Sequence, residues 1–344
     1  MRELNQKPLL DWVLERFPDT PRRRAKEWIV SGRVVVGGNA VTTPHELMDD
    51  PADSLRLTTL REKGAAMGEP LRIHPRVALL HLDASLAVLN KGAGILAVPS
   101  EQTALSALSV LADFLAGRLR PVKRATAAQH AALMSFRRLT PSPVHRIDQF
   151  TSGVFCVAMN ARARSRLIEQ FRAHTVTRRY VGFVEGRLSA QRGVWRHWLW
   201  GREGEMRQRV LTEREANSGR VNAVEAVTHF EVLGEYRVAH KGVISKLRLT
   251  LDTGRTHQIR AQAAAEGAPL VGDRLYNPAF RETPKKGENL QEPRRALIEF
   301  DRQALHAERL ALQHPESGDR MDWSAPLPDD LRQLELRFRE MSGA

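Results

Sequence analysis

Apolar residues recur at helical spacing near the start of the chain. Leu10, Val13, Leu14 and Phe17 stand at i, i+3, i+4 and i+7, one face of a helix that Pro18 stops. Thr20 followed by Pro21 reads as an N-cap with proline at the first helical position. The helix it opens carries Arg22, Arg23, Arg24 and Lys26, and leaves Ala25, Trp28 and Ile29 for the core; Gly32 suits its end. The pattern then changes period. Val34-Val35-Val36, Gly37-Gly38-Asn39 and Val41 signal a hairpin. Residues 1–60 therefore form one small helix-helix-hairpin domain. Residues 61–74 follow as a linker, with Gly64, Gly68 and Pro70 in it.

A larger domain is expected over residues 75–344. Val77 to Leu80 and Leu86 to Leu89 read as strands. Thr103 is placed to cap a helix through Leu105, Leu108, Leu111 and Leu115, ended by Gly117. Val154 to Ala158 is an apolar strand. Arg162 to Ala173 is a helix turning Leu167, Ile168 and Phe171 inward. Tyr180 to Val184 is a strand, Lys246 to Leu251 alternates as one, and Gln258 to Ala265 is a helix stopping at Gly267. Helices and strands mix without regular alternation, which makes the class α+β.

Charge narrows the choice of partners. Lys plus Arg outnumber Asp plus Glu by 53 to 40, a net charge of +13, which favours a polyanion: nucleic acid or an anionic membrane. No apolar run approaches the roughly 18 residues a spanning helix needs, so no membrane is expected. The N-terminus lacks a signal-peptide core. The single cysteine, Cys156, excludes an intramolecular disulfide and a Cys-based metal site, and a cytoplasmic location fits. Its apolar surroundings make it a core residue. From Arg118 to Ile147 there are seven Lys or Arg and no acid, so this block either faces RNA or is a mobile loop. Trp195, Trp198 and Trp200 lie among Arg192, Arg196 and Arg202. That mixture either stacks on single-stranded RNA or is an ordinary sheet edge.

Several familiar site patterns are missing. There is no phosphate loop, Gly92-Ala93-Gly94 lacks the third glycine of a dinucleotide fingerprint, and the histidines show no paired zinc spacing. The stretch that carries chemistry is Val144-His145-Arg146-Ile147-Asp148-Gln149-Phe150-Thr151-Ser152-Gly153-Val154. A carboxylate sits on a loop that runs into an apolar strand, beside a histidine, an arginine and small hydroxyls. By spacing alone it is equally a turn whose aspartate caps backbone groups.

The stretch resembles the active-site motif of the pseudouridine synthases of the RluA family, His-Arg-Leu-Asp-x-x-Thr-Ser-Gly, with Ile147 in place of leucine. Other segments are similar in the same order: His81 to Val98; Gln170 to Gly186 with its Lys/Arg-x-Tyr strand; Gly254-Arg255-Thr256-His257-Gln258-Ile259-Arg260; Gly272-Asp273-Arg274-Leu275-Tyr276; Leu305-His306-Ala307; and His314-Pro315. Residues 7–60 resemble the alpha-L RNA-binding module first described in a ribosomal small-subunit protein. In that module a basic second helix lies on the RNA backbone and a hairpin follows, here Ser31 to Gly38 with Leu55-Arg56-Leu57 closing it. The departures are Gly92 where proline is usual, Gln262 where histidine is common, and Arg179 before Tyr180.

The resemblance implies a mainly antiparallel sheet, no metal and no organic cofactor. It implies that Asp148 is the nucleophile, that Tyr180 stacks on the base or assists proton removal, and that Arg260 pairs with the aspartate and favours its ionised form. Arg146 is the candidate wedge that fills the gap left by a flipped-out uridine. His145 is expected to position the loop or RNA. Lys91, Arg255 and His257 support RNA binding, as do Arg22, Arg23, Arg24 and Lys26 on the second helix. The function implied is isomerisation of uridine to pseudouridine in RNA; the sequence does not give the oligomeric state, and a monomer is the expectation. Ribosomal RNA, of the large subunit in particular, is the expected substrate and transfer RNA the alternative. A catalytically silent RNA-binding or ribosome-assembly factor would need no Asp148, Tyr180 and Arg260. A nucleoside or glycoside hydrolase would be expected to carry a second carboxylate and leaves the basic module unexplained.

Overall fold

The computed structural model describes residues 6–30, 34–37, 39–41, 43–51, 54–57, 69–103, 105–122, 136, 139–201, 207–238, 242–277 and 300–343. Near the N-terminus, β1 (Lys7–Pro8) leads into α1 (Leu9–Arg16), and α2 (Arg22–Val30) follows. The strands β2 (Val34–Val36), β3 (Asn39–Ala40) and β5 (Leu55–Leu57) form an antiparallel sheet in the order β3-β2-β5, while β4 (Leu47–Met48) pairs β1. Leu10 and Val13 are buried and Leu14 and Phe17 pack against the same cluster, as their spacing predicts. Gly37 takes φ +59° at the hairpin turn. The second helix starts one residue later than expected. The Pro21 carbonyl accepts from Arg24 and Ala25, which puts Pro21 rather than Thr20 at the cap. Residues 31–33, 38 and 58–60 of the first domain, and 61–68 of the expected linker, lie outside the described residues.

Twelve strands form the second sheet. They are β6 (Leu71–His74), β7 (Val77–Leu82), β8 (Leu86–Lys91), β9 (Ser142–Pro143), β10 (Ser152–Ala158), β11 (Thr177–Glu185), β12 (Arg192–Trp200), β13 (Arg209–Leu211), β14 (Val224–Val238), β15 (Gly242–Leu251), β16 (Leu305–Gln313) and β17 (Arg320–Ser324). The order is β13-β12-β14-β15-β11-β16-β10-β8-β7-β6, with β17 on β16 and β9 on β10. All these pairs are antiparallel except β10 with β16. With α3 (Ala107–Leu115), α4 (Ala161–Arg172), α5 (Glu213–Ala216), α6 (Gln258–Ala265) and α7 (Asp329–Ser342), the class is α+β, mainly antiparallel. β6 shows that the sheet begins inside the stretch assigned to the linker.

Central strand β10 is buried at all seven positions, which explains why it reads as an unbroken apolar run. Phe155 and Val157 enter a core with Leu108 and Leu111 of α3. Val154, Cys156 and Ala158 enter the core on the other face, with Ala163 and Leu167 of α4. Burial pushes the Cys156 thiol far up, so it stays protonated. α3 is capped by Ser106, not Thr103. Ser106 and Ser109 exchange reciprocal side-chain to backbone bonds at 3.0 and 2.9 Å, and Thr103 instead turns with Ser100. Trp195 is a core residue stacked on Phe230 at 5.2 Å, which removes it from any RNA-stacking surface. Gln262 is buried too. Its oxygen accepts from the Thr228 hydroxyl and its amide donates to the Trp195 and Ala226 carbonyls, tying α6 to the sheet. Of the basic 118–147 block, residues 123–135, 137 and 138 lie outside the described residues. No helix among the described residues is long and apolar enough to cross a membrane.

Candidate active site

The loop from β9 to β10 is held on both sides. His145 Nε2 accepts from the Cys156 N–H at 3.0 Å, and its ring stacks on Phe171 at 4.5 Å. Burial drives the His145 pKa down to about 3, so the ring is neutral and its proton sits on Nδ1. His145 therefore positions the loop. Behind the loop, the Gln149 carbonyl accepts from Lys91 at 2.8 Å and the Phe150 carbonyl from Arg302 at 3.2 Å. The strand that follows needs glycine at 153. Its φ is +117°, and a Cβ there would stand 2.1 Å from the Ala307 oxygen of the parallel neighbour β16. Ser152 donates to His306 Nδ1 at 2.9 Å, because the other ring nitrogen gives its proton to the Ala325 carbonyl. The loop thus presents Asp148 from a fixed base.

Opposite the loop stands the start of α6. Arg260 makes a two-pronged ion pair with Asp273, Nε to Oδ2 at 2.7 Å and Nη2 to Oδ1 at 2.9 Å, and reaches Asp148 Oδ2 with Nη1 at 3.3 Å. Asp273 is fully buried and also accepts from the Leu275 and Tyr276 N–H groups. Gly272, at φ +73°, makes that turn possible, since a Cβ would strike the Arg302 carbonyl. Tyr276 lies under the Arg260 guanidinium at 5.1 Å. Its oxygen accepts from the Gln208 N–H at 2.7 Å and lies 3.2 Å from His257 Nδ1, which leaves its own proton for that nitrogen. His257, in the left-handed region at φ +53°, then turns its Nε2–H toward Asp148 at 4.0 Å. Burial lowers the His257 pKa against the pull of Asp148.

Tyr180, on β11, closes the third side. Burial, with Asp148 adding to it, pushes its pKa up to about 12. At neutral pH only about one phenol in 10⁵ is ionised, so Tyr180 acts as a neutral ring and hydroxyl. Asp148, Tyr180, Arg260 and His257 line one cavity of about 490 Å³, with Arg146 and Arg255 exposed at its edge. Lys91 is not there. Its side chain is 0% exposed and its ammonium donates to the Gly92, Ile95 and Gln149 carbonyls. That corrects the expectation of an RNA contact: Lys91 staples the loop from beneath. Arg22, Arg23, Arg24 and Lys26 are exposed on α2, with Arg22 3.4 Å from Asp11 and Arg23 3.3 Å from Glu27.

A family model for RNA pseudouridylate synthase matches residues 85–265, the span that carries Asp148, Tyr180 and Arg260. The chain is also 33% identical over 342 residues to the ribosomal large subunit pseudouridine synthase D of Pseudomonas aeruginosa, covering 98% of this chain and 94% of that one. This chain belongs to the RNA pseudouridylate synthase family. The Salmonella typhimurium protein of the same name is 33% identical over 333 residues, 94% of this chain and 89% of its own. Human RNA pseudouridylate synthase domain containing 4 shares the fold, with a TM-score of 0.52 at 21% identity over 76% of this chain and 92% of that one.

The chain is thus an RNA pseudouridine synthase, and the cavity is its candidate catalytic centre. Two participants, Asp273 and Tyr276, had no role assigned from sequence. Their signal was present in Gly272-Asp273-Arg274-Leu275-Tyr276, but only the fold shows that this turn orients Arg260.

Proposed function

We propose that this synthase isomerises uridine in large-subunit ribosomal RNA, with Asp148 as the attacking carboxylate. Isomerisation must break the N1–C1′ bond, turn the base and join C5 to C1′. The Asp148 carboxylate attacks C1′ as uracil leaves. The freed base rotates, C5 attacks C1′, the ester bond breaks to return the carboxylate, N1 takes up a proton and C5 loses its own. The observation that carries this reading is the Arg260–Asp148 contact at 3.3 Å inside a cavity walled by Tyr180. The guanidinium N–H holds one carboxylate oxygen in place for that attack. Tyr180, as a neutral phenol, stacks on the base. The exposed Arg146, two residues from Asp148, fills the space the uridine vacates.

The substrate assignment is supported by the near full-length similarity to relatives named for the ribosomal large subunit. The exposed cations of α2 support residues 1–60 as a separate RNA-binding module. The test is chemical mapping of pseudouridines in total RNA from cells with the wild-type chain, without it, and with Asp148→Asn. A large-subunit site lost in both mutants supports the proposal. A site lost only in transfer RNA moves the substrate there, and retention of every site in Asp148→Asn removes the nucleophile.

A further inference from the structure

Arg178 is a buried charge with too few partners. It is 8% exposed and makes one hydrogen bond among the described residues, from Nη2 to the Asp252 carbonyl at 2.8 Å. Two guanidinium Nε atoms, those of Arg178 and Arg248, are buried without a partner among the described residues. Arg248 has Glu231 beside it, whereas no carboxylate oxygen among the described residues lies within ion-pair distance of Arg178. Its neighbours are instead the Phe171 ring, 5.6 Å from the guanidinium carbon, and the bare backbone of Gly254, where a Cβ would stand 2.2 Å from Nη1. Glycine at 254 is explained by that space. A buried unpaired charge is expensive in a folded protein, and its persistence needs a cause.

The place supplies one. Arg178 is two residues from Tyr180 on β11, and both line the cavity that holds Asp148. Asp148 is the one carboxylate among the described lining residues, and Arg260 already faces it. Arg172, His174, Arg178 and Arg255 line the same cavity with no carboxylate of their own. Burial weakens the hold of Arg178 on its proton; Tyr180 and Asp252 oppose this in part, and Arg255 adds a smaller weakening, so an anion arriving beside Arg178 supplies the partner that burial has taken away. An RNA strand that delivers a flipped base beside Tyr180 must bring its own backbone phosphates to this wall.

We propose that Arg178, with Arg255, forms a phosphate subsite for the RNA backbone next to the target uridine. The subsite rests on the RNA-isomerase reading but adds the group that holds the strand while the base is turned. A guanidinium suits it because two N–H groups can meet two phosphate oxygens. The charge stays buried in the free enzyme because the cavity wall is built around it.

The test is the salt dependence of binding, read on an unmodified large-subunit ribosomal RNA transcript with the full chain. Each phosphate contact contributes just under one unit to the slope of log K against log salt concentration. Arg178→Gln is expected to weaken binding and make that slope shallower by about one unit, and Arg178→Lys is expected to restore it. Gly254→Ala, which drives a methyl into the guanidinium, is expected to lose the same unit. Arg178→Gln is expected to melt no lower than wild type, since it breaks no ion pair. An unchanged slope in Arg178→Gln, or a lost slope that Arg178→Lys fails to restore, overturns the subsite. So does a failure of Arg178→Gln to fold combined with a wild-type slope in Gly254→Ala. If the wild-type chain itself neither binds nor modifies this transcript, the ribosomal substrate is what fails, and the same slopes are read on transfer RNA.

Discussion

Arg260 faces Asp148 because Asp273 aims it, and Asp273→Asn isolates that dependence. The substitution keeps the shape and leaves one oxygen for the Leu275 and Tyr276 N–H groups. It puts an amide N–H where the second oxygen met the Arg260 Nε–H at 2.7 Å, donor against donor. Both side chains are buried, so water offers no substitute. Breaking a buried pair from one side costs about 3–5 kcal/mol, which for a domain of this size is a Tm fall of about 10 °C. The freed guanidinium also loses its charge-assisted bond to Asp148, worth about 1.5–3 kcal/mol, or roughly 10- to 100-fold in kcat. KM for RNA should stay near wild type, because the substitution leaves the cations proposed to grip the strand untouched. Urea unfolding and steady-state kinetics on the ribosomal transcript read both effects. A kcat within twofold of wild type would refute the claim that Asp273 aims Arg260, whatever happened to stability.

Three further outcomes follow from the same geometry. Lys91→Met strips three carbonyls of their donor, that of Ile95 buried and those of Gly92 and Gln149 partly so, and is expected to lower stability by about 3 kcal/mol and kcat with it, through the Gln149 carbonyl beside Asp148; a stable variant with normal kcat would show the staple to be idle. Gly153→Ala forces a methyl against the Ala307 carbonyl at a left-handed φ and is expected to leave little soluble protein; normal yield and activity would contradict the close approach of β10 and β16. All three tyrosines, Tyr180, Tyr236 and Tyr276, are pushed up to about 12 from the ordinary 10, chiefly by burial. Between pH 10 and 12 the folded chain then holds protons that the unfolded chain has released, so stability is full below pH 10 and falls as pH rises to 12. Tyrosinate absorbance should show no ionisation below about pH 11, and a titration centred at 10 would contradict the burial.

Much of the site was legible because its chemistry lies in short contiguous stretches. Asp148, Tyr180 and Arg260 each sit in a local motif, and the fold brings all three to one cavity. Lys91 was misread for a physical reason. A lysine in a basic chain reads as a phosphate contact, and nothing local reveals that the end of β8 also meets the Gln149 carbonyl, from a loop 58 residues away. Asp273 was visible and its role was not, because its partner is on a helix thirteen residues earlier in the chain. Helices and hairpins of the first sixty residues were legible from periodicity, while the two-residue pair β1 and β4 is too short to have any. The insertion of β16, from near the end of the chain, between β11 and β10 is likewise invisible to local patterns, since strand order is a long-range property.

The most direct test of the account uses an unmodified large-subunit ribosomal transcript carrying tritium at uridine C5. Joining C5 to C1′ must release that label to water. Purified wild-type chain should release tritium in step with pseudouridine formation, and Asp148→Asn should bind the transcript with similar affinity and release none. Tritium release by Asp148→Asn at a rate near wild type would contradict the central claim that this carboxylate carries the isomerisation.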